Sequence, residues 1–178
     1  MNQPLISQLG PVMQLAFVPK DFDAALRHWT ETMGVGPFFR MERIRLLDCR
    51  YRGEPCDAEF SIALAYWGDV QIELIEQHND APSIYRRWRD EGREGLHHVC
   101  ITVSDLAHAR RVCAQAGVRV EQEGQVAGGG EVIYVDTGAG PGSLVEIIQL
   151  PAATLDFFAS MREACRAWDG SDPVRKLG

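Results

Sequence analysis

Apolar and polar residues alternate along MQLAFV from Met13, and they alternate again along HHVCITV from His97. A period of two marks both runs as strands. Each leads to an aspartate suited to capping a helix N-terminus, Asp21 in the first run and Asp105 in the second. Apolar positions at helical spacing follow: Phe22, Ala25, Leu26 and Trp29, closing near Gly34, and then Leu106, Ala109, Val112 and Cys113, closing at Gly117. The two stretches correspond without a gap through the strand and most of the helix, so the chain repeats itself. Further on, VQIELIEQ from Val70 matches SLVEIIQL from Ser143, which sets Glu73 on Glu146 inside two apolar runs of strand character.

Between helix and final strand each copy has room for two more strands, 38–47 and 59–67 in the first and 118–125 and 132–136 in the second. The unit is βαβββ, used twice. The expected class is α+β, with residues 11–78 as the first module, 79–94 as a connecting helix and 95–151 as the second module. Residues 152–178 are expected to form a C-terminal helix and tail, the whole making one domain. The C-terminal helix carries Leu155, Phe158, Met161 and Cys165 on one stripe, and the tail GSDPVRKLG is expected to fray. A single module leaves one face of its sheet bare, and two side by side line a shared groove, where ligands usually sit.

Strand parity selects the groove side chains. In the second copy Val99, Ile101 and Val103 belong to the helix-covered core, with His97 on the same side, while His98, Cys100 and Thr102 face the groove. In the first copy Leu15 and Phe17 are core, which leaves Gln14, Ala16 and Val18 facing inward. Glu73 and Glu146 interrupt apolar strands at equivalent places, and an uncompensated carboxylate there is costly unless a cation or donor balances it. Gln14 and His98 are also equivalent. Two carboxylates, an imidazole and an amide at matched positions make an octahedral site for a divalent ion, with two places left for water or substrate.

Composition narrows the partners. At 178 residues and 46% hydrophobic, the chain is long enough to bury a substantial core. A formal charge of -7 opposes nucleic acid and anionic membrane surfaces, leaving a small-molecule substrate or other proteins. No run approaches the length of a membrane span, and MNQPLISQLG lacks the pattern of a signal peptide, so the expected location is cytoplasmic. Five cysteines with no CxxC pair fit reduced, packed thiols, with Cys100 standing closest to the inward-facing histidine.

At GLHHVCITVSDL from Gly95, the closing SLVEIIQLP and the helix APSIYRRW before GLHH, the sequence resembles the glyoxalase or vicinal oxygen chelate superfamily, and within it the methylmalonyl-CoA epimerase branch. The resemblance spans roughly residues 11–151. It implies the glyoxalase/bleomycin resistance/dioxygenase-like fold and metal ligands at Gln14, Glu73, His98 and Glu146, the same four positions that parity selects. It departs from the family where Gln14 replaces the usual histidine, and where the third strand of the first module offers only Ser61 or Glu59 for the epimerase's catalytic glutamate.

The resemblance implies a metal-dependent isomerase, epimerase or lyase that removes a proton next to a carbonyl, acting on an acyl-CoA or similar small molecule and pairing as a homodimer. One divalent ion is expected, with magnesium, manganese, cobalt, nickel and zinc all candidates. Glu73 or Glu146 is the expected base, with Glu59 in reserve. The alternatives are a non-catalytic binding or resistance-type protein and a ring-cleaving dioxygenase. Phe38, Phe39, Tyr66, Trp67 and Tyr134 are candidate pocket walls, and Arg86, Arg87 and Arg89 candidate phosphate contacts. The glycines of QVAGGGEV and TGAGPGS read as turns or a flexible lip, since their spacing fits no nucleotide loop.

Overall fold

A computed structural model describes residues 5–140 and 143–177 of the chain. A short 3-10 turn, Ile6–Gln8, precedes β1 (Val12–Val18) and α1 (Phe22–Arg27), which continues as a wider helical turn over His28–Thr32. Then come β2 (Phe38–Ile44), β3 (Leu47–Tyr51), β4 (Glu54–Pro55), β5 (Phe60–Trp67), β6 (Val70–Gln77) and α2 (Ile84–Asp90). The second half runs β7 (Gly95–Thr102), α3 (Leu106–Gln115), β8 (Arg119–Val126), β9 (Gly130–Asp136), β10 (Leu144–Gln149), α4 (Ala152–Arg166) and β11 (Val174–Leu177). Among the described residues no helix is long and apolar enough to cross a membrane.

The strands make one sheet in the order β11-β2-β5-β6-β1-β7-β10-β9-β8-β3-β4. Its centre is the antiparallel pair β1 and β7, with Leu15 opposite Val99, Gln14 opposite Cys100 and Ala16 opposite His98. Outside them β6 runs parallel to β1, and β10 parallel to β7. This arrangement is symmetric about the Leu15/Val99 pair, as expected of a duplicated unit. It puts Ala16 beside Glu73 and Cys100 beside Glu146.

The helix after the first strand of each unit, α1 and α3, starts as the sequence predicts. The Asp21 carboxylate accepts from the Ala24 N–H at 2.8 Å, and Asp105 accepts from the His108 N–H at 2.8 Å. α3 ends before Gly117, whose φ of 70° suits the left-handed position after a helix. Phe22 and Leu26 of α1 pack on Ala63, Ala65, Ile72 and Leu74. Leu106, Ala109 and Cys113 of α3 pack on Ile101, Ile133, Val135 and Ile147. These two cores lie on one face of the sheet and leave the other free for the site.

The second face is only partly open. α2 lays Ile84, Tyr85 and Trp88 against Phe60, Cys100 and Tyr134. α4 buries Met161 against Leu64 and Tyr66, with Phe158 and Cys165 beside it, while Leu155 of the expected stripe stays 44% exposed.

Three sequence expectations change. The strand expected over 38–47 stops at Ile44, and β3 with β4 crosses over to pair with β8, where Tyr51 meets Gln122 and Arg50 meets Glu123. The first module thereby closes the far rim of the second. The tail is not frayed: β11 pairs in parallel with β2, Val174 beside Phe38 and Leu177 beside Met41. Finally, His97 is an extra residue in β7, because Ala16 pairs with His98 while Phe17 already pairs with Leu96. A β-bulge lets two consecutive side chains share a face, so His97 lies beside His98 under Tyr85 and Trp88 instead of in the α3 core. QVAGGGEV forms the tight β8–β9 hairpin, with the Gly129 N–H donating to the Val126 carbonyl. Part of TGAGPGS, Pro141 and Gly142, lies outside the described residues.

Candidate metal centre

Glu73, His98 and Glu146 converge from β6, β7 and β10, each offering a ligand atom within 4.8 Å of the others. The Nε2 of His98 stands 3.0 Å from Glu146 Oε2 and 3.6 Å from Glu73 Oε2. All three are buried. The sheet centre brings them together: equivalent strands place the two carboxylates on either side of the β1/β7 seam, and His98 enters from the seam itself.

Gln14 is the fourth matched residue, and it lines the same cavity as Glu73 and Glu146. Its amide orientation is fixed by a chain: Gln14 Nε2 donates to Gln71 Oε1 at 2.6 Å, and Gln71 Nε2 donates to the Tyr66 hydroxyl at 3.1 Å. The Gln14 carbonyl oxygen is left buried with no partner. A buried acceptor without a donor costs about 1–3 kcal/mol, and a cation would satisfy it. Two carboxylates, one imidazole and this amide oxygen are therefore a donor set that fits a divalent ion.

The electrostatics follow from crowding. Burial, with the Glu146 charge adding to it and the hydrogen bond from His98 opposing it, raises the Glu73 carboxyl above its ordinary range. Burial works against a charged His98, but its bonds to Glu146 and Glu73 outweigh that and push its pKa up to about 9. His97 goes the other way, held neutral by burial and by the neighbouring His98. Its Nδ1 lies 2.9 Å from His98 Nδ1 and its Nε2 3.3 Å from the Ile84 carbonyl. One arrangement satisfies every atom: His97 Nε2–H donates to Ile84, His98 Nδ1–H donates to His97, and the Nε2–H of His98 faces the carboxylates, where an ion would displace it. On the other side the Tyr134 hydroxyl donates to Glu146 Oε1 at 3.2 Å and accepts from the Tyr85 hydroxyl at 3.2 Å.

With His98 buried between them, Glu73 and Glu146 line the floor of a cavity of about 430 Å³. Glu59 is not part of its wall. It precedes β5, and along β5 it is Phe60, Ile62 and Leu64 that face the cavity. Glu59 instead pairs with Arg43 at 2.6 Å and Arg45 at 3.0 Å, and the two guanidinium groups, Arg45 foremost, hold its carboxyl below the usual range. Ser61 shares that outer parity; its hydroxyl accepts from the Arg43 N–H and meets His78 Nε2. Neither third-strand candidate reaches the cavity.

Of the aromatic candidates, only Tyr134 lines it. Phe38 is packed in the α1 core, Phe39 and Tyr66 lie under α4, and Trp67 stacks edge-on against Trp29. The connecting-helix arginines are occupied: Arg86 with Asp80 and Asp90, Arg87 with Glu121 and Asp136, and Arg89 with the Gln77 carbonyl. Cys100 does line the cavity, but burial and the Glu146 and Glu73 charges push its thiol well up, so it is not a thiolate.

Parity alone missed His97, whose role depends on a bulge that alternation cannot display. It also missed Tyr85, Phe157 and Phe158, which reach the cavity from helices whose docking the sequence does not fix. The His-His doublet in a strand was the one available signal.

A search of the curated proteins found no match. Among solved structures, the chain is similar to a hypothetical protein from Bacillus halodurans, with TM-score 0.61 and 17% identity over 80% of this chain and 95% of that one. It is similar to methylmalonyl-CoA epimerase from Mycobacterium tuberculosis, with TM-score 0.59 and 18% identity over 85% and 96%. It is also similar to a variant of the Streptomyces coelicolor methylmalonyl-CoA epimerase in complex with 2-nitronate-propionyl-CoA, with TM-score 0.56 and 17% identity over 81% and 96%. At these identities the likeness concerns the fold. The profile of one family, however, matches residues 13–135, most of the chain, covering the first βαβββ unit and the second up to β9. The chain belongs to the Glyoxalase/Bleomycin resistance protein/Dioxygenase superfamily.

Proposed function

We propose that this chain is a metal-dependent isomerase, epimerase or lyase that removes a proton next to a carbonyl. The observation that carries the reading is the convergence of Glu73, His98 and Glu146 beside a cavity that Glu73, Glu146 and Gln14 line, with the Gln14 carbonyl buried and unpartnered. These four residues would hold one divalent ion. Bound there, the ion would supply Lewis-acid stabilisation of an oxyanion forming on the substrate, worth several kcal/mol. The fold likeness to methylmalonyl-CoA epimerases supports carbonyl chemistry, and an acyl-CoA is one candidate substrate.

Glu73 and Glu146 are the only carboxylates lining the cavity among the described residues. One of them takes the proton in this reading, a contribution of about 10² to 10⁴ in rate. Tyr134 orients Glu146 through its hydroxyl, and His97 orients His98. A ring-cleaving dioxygenase is disfavoured, because such sites use two imidazoles and one carboxylate, whereas this cluster has one imidazole and two carboxylates.

One observation favours a second reading. The cavity face of β5 carries Phe60, Ile62 and Leu64 and no base, which suits a protein that binds a ligand without turning it over. Proton exchange with heavy water separates the two. Metal-loaded protein is incubated with a panel of acyl-CoAs and 2-substituted ketones, and NMR follows the hydrogen beside the carbonyl. Metal-dependent exchange is the expected result. Ligand binding with no exchange across the panel overturns the enzyme reading in favour of binding.

A further inference from the structure

We infer that the cavity selects a substrate whose body is uncharged and apolar, a ring or a short branched chain, and excludes one carrying a second carboxylate there. This deepens the reading above and rests on it for the polar head of the substrate. The walls are Met41, Ile62, Leu64, Leu150, Phe157 and Phe158, drawn from the β2, β5 and α4 side and from the end of β10. The charged residues lining the cavity, among those described, are Glu73, Glu146 and Arg45. Glu73 and Glu146 lie on the floor, where they would be ligands of the proposed ion.

Arg45 is the one lining cation, and it is committed. It pairs with Asp57 and, at 3.0 Å, with Glu59, and both bonds raise its own pKa. The nearby Arg43 is bound to Glu59 as well. A carboxylate on the substrate body would therefore leave water for apolar walls with no free side-chain cation to receive it, while the ion proposed for the floor, its charge offset by two glutamates, is taken by the substrate head. A ring has no such cost. Burial against Phe157, Phe158 and Leu64 favours it in proportion to the apolar area covered. Cavities of this volume commonly enclose most of a small ligand, so discrimination acts on the whole body and not on one edge.

The test compares two probes with the same oxygen-bearing head, benzohydroxamate and 4-carboxybenzohydroxamate, titrated into the manganese-loaded full chain by calorimetry. Benzohydroxamate is expected to bind roughly 100-fold more tightly. Equal affinity, or preference for the carboxylated probe, overturns the inference. In Ile62→Lys the gap should close by about tenfold or more, and an unchanged gap in a folded variant shows that the body does not lie against β5, which also overturns it. If manganese does not load, the metal reading fails on its own, and selection is read instead from the metal-free chain with ethylbenzene and 4-ethylbenzoate. Shifts of the Met41 methyl signal by ethylbenzene alone support the inference. Equal shifts by both overturn it.

Discussion

The Nδ1 atoms of His97 and His98 face each other at 2.9 Å, and two ring nitrogens at that distance share one hydrogen. Because His97 is held neutral and its far nitrogen meets the Ile84 carbonyl, the shared hydrogen belongs to His98. That assignment makes His98 Nε2, once its own hydrogen is displaced, the nitrogen that can bind an ion, the usual arrangement for a metal-bound histidine with a second partner behind it. Replacing His97 should therefore act through His98. His97→Phe keeps a ring under Tyr85 and Trp88 but removes the acceptor, and divalent affinity should fall by about 10- to 100-fold. His97→Gln, which restores an acceptor, should recover part of it. Calorimetric titration with manganese reads both, and an unchanged affinity in His97→Phe would show that the pair has no bearing on the metal.

In the proposed site, Gln14 should set metal preference. An amide oxygen is a hard, neutral donor, whereas imidazole suits zinc, nickel and cobalt. Gln14→His should tighten zinc binding about tenfold, or 1.4 kcal/mol, and change magnesium far less. Equal affinities for both ions in both proteins would mean that the Gln14 carbonyl does not touch the metal. In that case its fixed orientation through Gln71 and Tyr66 would serve substrate positioning.

The duplicated pattern made much of this legible. Alternation along β1 and β7, with matched carboxylates on β6 and β10, is a property of local sequence, so the seam and the four inward residues could be read without coordinates. What could not be read depends on partners distant in the chain. The excursion at Leu47 pairs with Gln125, the tail pairs with β2, and the bulge at His97 exists only relative to Phe17 and Ala16. Glu59 looked like a reserve base because a carboxylate beside a strand has no visible partner in sequence; Arg43 and Arg45 claim it in space.

The tail predicts a stability effect. β11 adds a strand to β2, the Pro173 carbonyl accepts from the Phe38 N–H at 2.8 Å, and Val174 and Leu177 pack against the cores under α1 and α4. Deleting residues 173–178 removes these bonds and half-buried side chains together. The expected loss is on the order of 2–4 kcal/mol at net hydrogen-bond and burial values. A urea titration measures it, and a midpoint equal to that of the full chain would show that the strand contributes nothing.

Metal binding should compete with a proton on His98. Its pKa is raised from 6.5 to about 9 by Glu146 and Glu73, so below about pH 9 the Nε2 that faces the carboxylates carries a hydrogen that an ion must displace. Apparent divalent affinity should therefore climb with pH, by up to about tenfold per unit, and level off near pH 9. Glu73, whose carboxyl is also raised by burial, must give up any proton it holds before it can ligate an ion. The metal-free chain has the opposite sign. A histidine with a raised pKa stabilises the fold fully below 6.5, and that stability is lost as pH rises through about 9. Calorimetry in buffers of different ionisation enthalpy should find close to one proton released per ion in this window. Affinity that is flat between pH 6.5 and 9, with no proton released, would mean that His98 Nε2 is not where the metal binds.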